Sequence, residues 1–93
     1  MTLPYSQLAS DFNRIGAEFL CADLDTALTF TEIAASEDRD AESRQRNREN
    51  AHKAYDAMLN LSARIALKPE EKVAVDGKLA ALKHALEALG DVF

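Results

Sequence analysis

From Val75 onward the large apolar residues Val75, Leu79, Leu82, Leu86, Leu89 and Phe93 are separated by steps of four, three, four, three and four. This spacing holds side chains on one stripe of an α-helix and would scatter them over both faces of a strand. The C-terminal third is therefore a helix with a heptad-type seam. Pro69 suits the first helical position, where its missing N–H has no partner to lose. Glu70 and Glu71 place negative charge at the positive end of the helix dipole. Gly90 supplies the stop, leaving Val92 and Phe93 as a short apolar tail.

The same steps recur upstream. Ala51, Ala54, Met58, Leu61 and Ile65 form the apolar face of a second helix, which continues toward its start with Arg44, Asn47 and Arg48. One side of one helix thus passes from polar to apolar halfway along. Asp40 is its expected N-cap, with Ser36 as the competing cap and Glu42 in the first turn. Asp40–Arg44, Glu42–Arg46 and Glu49–Lys53 are acid-before-base pairs at i,i+4, each worth about 0.2–0.5 kcal/mol.

The first helix is expected to open at Thr2 and Pro4. Its main apolar stripe reads Leu8, Phe12, Ile15, Phe19, Thr26, Phe30 and Ile33, widened by a second row of Leu20, Leu24, Ala27 and Leu28. Such a helix over 4–35 is about 48 Å long at about 1.5 Å per residue. Gly16 costs about 1 kcal/mol against alanine there, and marks either a close helix contact or a break near Asn13–Gly16.

Short turns at Ser36–Asp40 and Leu67–Pro69 force consecutive helices to lie antiparallel. The expected fold is all-α: an antiparallel up-down-up three-helix bundle with long helices and left-handed coiled-coil-like packing. It forms one domain over 1–93, with helices at about 4–35, 40–66 and 69–89. No strand-like alternation or internal repeat competes with it.

A net charge of −5 argues against nucleic acid and anionic membrane surfaces as partners, because both select for Lys and Arg. The apolar run from Ala17 to Ala35 is interrupted by Glu18, Asp23, Asp25 and Glu32, so it reads neither as a signal peptide nor as a membrane span. One cysteine, Cys21, allows no internal disulfide, and a reducing, cytoplasmic setting is the default. No cofactor motif occurs: three glycines make no phosphate loop, and no Cys, His and carboxylate set shares one level.

Folding helix 1 back on helix 2 brings Asp23 level with His52 and places it inside the apolar arc. A buried carboxylate needs a partner. The expected interhelical polar cluster is Asp23, Thr26, Asn47, Arg48 and Tyr55, with Arg48 or His52 as the partner of Asp23. Its expected role is to fix helix register, and the minority role is to bind an acidic group through Arg44 and Arg48. At the same pole Leu28, Phe30, Ile33, Arg44, Val92 and Phe93 make an expected partner surface, apolar beside basic. Glu49 and His52 match a Glu-x-x-His spacing, and His52 and Asp56 stand at i,i+4. Two ligands on a solvated flank read as surface residues before they read as a metal site.

Leu24-x-x-Ala27-Leu28-x-Phe30 followed by Ala51-x-x-Ala54-Tyr55-x-x-Met58 resembles the paired helices of tetratricopeptide-like and MIT-like modules over about Ala17–Leu61. That resemblance implies a protein-binding scaffold. The early Trp and Gly-Tyr positions of the tetratricopeptide pattern have no match, and no second repeat follows. The Ala-Leu-Thr-Phe and Asn-Ala-x-x-Ala-Tyr-Asp segments are also similar to small uncharacterised bacterial helical proteins, which implies no activity. The functional expectation is a non-catalytic helical module that binds a protein partner or forms a homo-oligomer. The alternative is a metal- or small-anion-binding bundle.

Overall fold

The computed structural model describes residues 5–93, with side chains from residue 14 onward. Three helices follow in order: α1 (Tyr5–Ala35), α2 (Ala41–Ser62) and α3 (Pro69–Ala88). Each packs against the other two, giving the all-α three-helix bundle that the short turns require. The expected opening at Thr2 and Pro4 lies outside the described residues. α1 is continuous through Gly16, so there is no break.

The buried row of α1 corrects the sequence reading. Ala17, Leu20, Leu24, Ala27, Thr31 and Ala34 are buried, at steps of three, four, three, four and three. Ile15 and Phe19, from the stripe expected to be the main one, are 57% and 50% exposed. The physical reason is that α1 touches two neighbours, so its core direction lies between them. Small residues at 17, 27 and 34 permit close approach there, while Leu28 and Phe30 close the core from its edges. Thr31 is tolerated in this row because its hydroxyl donates to the Leu28 carbonyl at 2.6 Å.

From α2, Ala51 and Met58 enter the core, with Ala54 and Leu61 packed against it, as is Ile65 beyond the helix end. α3 contributes Val75, Leu79, Leu82 and Leu86, the first four positions of the seam read from the sequence; Leu89 is half-buried at the helix end and Phe93 leaves the seam beyond Gly90. Lys78 ties α3 to α1 through Asp25 at 2.6 Å, and this hydrogen bond holds the ammonium above the usual lysine range.

α2 stops at Ser62, four residues before its expected end. The Arg64 N–H turns back onto the Leu61 carbonyl at 3.0 Å, a tight i−3 bond that ends the α-helix. Ile65 is thereby released toward α1, where it meets Gly16. A Cβ at Gly16 would stand 2.9 Å from Ile65 Cδ1, so the missing side chain makes room for the α2–α3 connection. Gly16 therefore stands level with that connection. The backbone of Tyr5–Ile15 carries the helix on beyond it, since α1 has 31 residues against 22 and 20 for its neighbours.

The N-caps follow the sequence. Asp40 accepts from the Ser43 N–H at 2.7 Å, and the Glu71 carboxylate accepts from the Lys68 N–H at 2.9 Å. The three i,i+4 ion pairs expected on α2 do not form. Asp40 is used as a cap, Glu49 accepts from Gln45 Nε2, and Arg44 turns to α1.

Gly77 sits exposed in the middle of α3, with nothing within 4 Å of where its Cβ would lie. Gly77→Ala is therefore expected to stabilise the domain by about 0.8–1 kcal/mol through helix propensity alone. A thermal melt followed by circular dichroism would rise by about 4–8 °C, and an unchanged midpoint would contradict a free helical position.

Candidate functional site

The densest group of polar and aromatic side chains lies where α2 meets the end of α3. Gly90 takes a φ of +100°, open to glycine without the Cβ penalty. The Gly90 N–H donates to the Glu87 carbonyl at 3.0 Å and the Asp91 N–H to the Leu86 carbonyl at 3.1 Å, the two bonds of a Schellman turn. This reversal sends residues 91–93 back across α2.

Asp91 then lands between two α2 side chains. Its carboxylate stands 3.3 Å from Arg48 Nε and 2.8 Å from His52 Nδ1, and its side chain is only 14% exposed. With Asp91 ionised, the ring nitrogen is the donor. The other side of His52 faces Asp56 at 3.7 Å. Phe93 completes the clasp: its ring stacks on His52 at 4.6 Å, meets Tyr55 edge-on at 5.0 Å, and lies under the Lys83 ammonium at 5.5 Å.

The polar half of the α2 face has a further cause. α1 and α3 both end at this pole, and neither carries a basic residue in its last turn. Their terminal carbonyls concentrate negative charge with no helical N–H to accept from. Arg44 Nε donates to the Ala34 carbonyl at 3.0 Å, and Arg48 Nη1 to the Leu89 carbonyl at 3.3 Å. Two arginines on one helix thus cap the ends of its two neighbours. They line an open groove of about 220 Å³ with Ala34, Ala41, Gln45 and Leu89.

The expected polar cluster is not assembled. Asp23 is half-buried with no hydrogen bond or ion pair among the described residues. Thr26 is exposed and donates to the Ala22 carbonyl, while Asn47 donates to the Ser43 carbonyl within its own helix. Arg48 and Tyr55 do belong to the site, but through Asp91 and Phe93 on α3's tail. Arg48 and His52 turn toward α3, so Asp91 takes the place expected of Asp23.

The expected partner surface is also divided. Leu28 and Phe30 pack on the core edge and Ile33 is half-buried, whereas Phe93 lies on α2 and makes no ring contact with Phe30. Arg44 is occupied by the Ala34 carbonyl, and Val92 stands 87% exposed. Of the metal candidates, Glu49 accepts from Gln45, while His52 and Asp56 are paired with each other. No group of three His, Cys, Asp or Glu among the described residues is arranged to hold a metal ion.

Asp91 is the residue that sequence reasoning missed. Its signal was present: a carboxylate directly after a glycine stop, at the same pole as Arg48 and His52.

Fold and site together define an all-α three-helix bundle with a C-terminal clasp. Comparison with protein-family models, with characterised proteins and with solved structures finds no match to this chain. No helix among the described residues is long and apolar enough to cross a membrane.

Proposed function

We propose that this chain is a non-catalytic helical interaction module that self-associates through the outer flank of α1. The observation that carries this reading is the exposure of Ile15 and Phe19, at 57% and 50%, one turn apart on a helix that outruns its neighbours. Two apolar groups at i,i+4 are self-complementary under a two-fold axis. A second α1 laid antiparallel sets Ile15 against Phe19 and Phe19 against Ile15, an isologous contact. So small a contact belongs to the transient class of interfaces. The polar cluster at the other pole supports a structural role, because its charged atoms are spent on one another and on helix ends. A reducing cytoplasmic setting fits the free thiol of Cys21.

Light scattering coupled to size-exclusion chromatography, from micromolar to millimolar protein, tests the reading. The apparent mass is expected to rise with concentration above the 10.2 kDa of one chain. Phe19→Asp should stay at one chain throughout and remain folded, with a melting temperature lowered by about 4–8 °C, the loss expected for a half-buried side chain. A wild-type protein that remains a single chain over the whole range would overturn the reading.

A further inference from the structure

α1 carries two seams at heptad spacing. One is the buried row that packs on α2 and α3. The other runs Tyr5, Leu8, Phe12, Ile15, Phe19, Ala22, Thr26 and Thr29, at steps of three, four, three, four, three, four and three. From Ile15 to Thr29 every position of this second seam is exposed. Helix faces left to water collect charged residues, and this chain is 29% charged, yet no position of the seam carries a charge.

The spacing is symmetric about position 17. A second α1 laid antiparallel about that point sets Tyr5 against Thr29, Leu8 against Thr26, Phe12 against Ala22 and Ile15 against Phe19, and the two-fold axis repeats each pair. Larger residues of the N-terminal half thus meet smaller ones of the C-terminal half, the alternation that lets facing positions interdigitate. Covering the two threonines strands no donor. The Thr26 hydroxyl donates to the Ala22 carbonyl at 3.0 Å and the Thr29 hydroxyl to the Asp25 carbonyl at 3.2 Å.

The same register employs the part of α1 that outruns its neighbours. Residues 5–15, about 16 Å of helix, run past the α2–α3 connection, and a stretch that short is marginal in water without packing. In the pair they lie along residues 19–29 of the second copy. The banks of the seam differ in charge. On one, Glu18 comes level with Glu18 of the second copy, and position 11, an aspartate, stands beside Asp25, which already holds Lys78 at 2.6 Å. Arg14, one turn before Glu18, offsets part of this. On the other bank Gly16 meets Gly16, and position 9, a serine, stands beside Asp23. The first bank keeps a net negative charge, so added salt favours the pair.

We infer that two copies join as an antiparallel α1–α1 pair along this second seam, residues 5–15 of each copy covering residues 19–29 of the other. The inference rests on self-association through the outer flank of α1. It extends the contact from one turn at Ile15 and Phe19 to about 36 Å of helix.

Sedimentation equilibrium of the full chain gives the dissociation constant, and the distance between nitroxide labels gives the register. The label sits on Glu32→Cys, an exposed position of α1, with Cys21→Ser so that it goes nowhere else. Antiparallel pairing about position 17 holds the two labels about 45 Å apart along the axis, whereas a parallel pair holds them within about 20 Å. Phe12→Asp is expected to raise the dissociation constant at least about tenfold, and Thr26→Leu, which gives Leu8 a larger partner, to lower it about threefold to tenfold. The wild-type constant should fall as salt rises from about 0.05 to about 0.5 M. Association that Phe19→Asp abolishes and Phe12→Asp leaves unchanged would overturn this inference while the shorter contact stood. Labels within about 20 Å of each other would overturn the antiparallel register, and the inference with it. A wild type that stays a single chain at every concentration would overturn both readings.

Discussion

Leu24→Ala is expected to lower the unfolding free energy by about 2–5 kcal/mol, while Phe19→Ala lowers it by about 1 kcal/mol or less. The contrast follows from which row of α1 is inside. Leu24 is fully buried among Leu20, Ala27 and the α2 and α3 core residues, so truncation leaves a cavity that rigid neighbours cannot refill. Phe19 is already half in water, and its removal returns little apolar surface to solvent. A domain of this length has about 5–15 kcal/mol in total, so the first change removes a large share and the second is tolerated. Urea denaturation monitored at the helical circular dichroism band measures both. The reverse ranking would mean that the core row of α1 is the Ile15–Phe19–Phe30 stripe.

Asp91→Ala is expected to cost about 1.5–3 kcal/mol, as hydrogen bonds to charged groups do. The carboxylate is nearly enclosed and serves Arg48 and His52 together, so its loss leaves two donors facing an empty position. Arg48 is 37% exposed and recovers water, which places the effect toward the lower part of that range. Asp91→Asn keeps the acceptor while removing the charge and should fall between the two. A double-mutant cycle of Asp91→Ala with Arg48→Met isolates the coupling between the two groups. If Asp91→Ala melts with the wild type, the clasp contributes nothing to holding the C-terminal turn.

The architecture was legible because it rests on local spacing. The seam of α3, the Asp40 cap, the Pro69 start and the Gly90 stop are each written in a few adjacent residues, and each stands where it was expected. The core row of α1 was not legible in the same way. Counting large side chains favoured Ile15, Phe19 and Phe30, yet a helix that touches two neighbours buries the direction between them, and alanines can occupy it. The end of α2 was missed because Ile65 continues the apolar period although the backbone has already turned at Ala63.

For the site, Arg44, Asn47 and Arg48 were identifiable as unusual because they continue an apolar face in polar residues, and of these Arg44 and Arg48 reach neighbouring helices. Their partners were not, since Asp91 and Phe93 lie about forty residues away and reach α2 only through the left-handed glycine. Asp23 was the nearer carboxylate by level, but level along an axis does not fix the direction around it.

The placement of Arg44 and Arg48 has a consequence for how the three helices depend on one another. α1 and α3 contain no cation of their own to steady their closing turns, so either one, cut away from α2, would fray at that end. α2 in turn begins with little oil to hold it, and its opening turns persist because two foreign carbonyls grip its guanidinium groups. Order at this pole is thus a joint property of three segments, gained together or lost together.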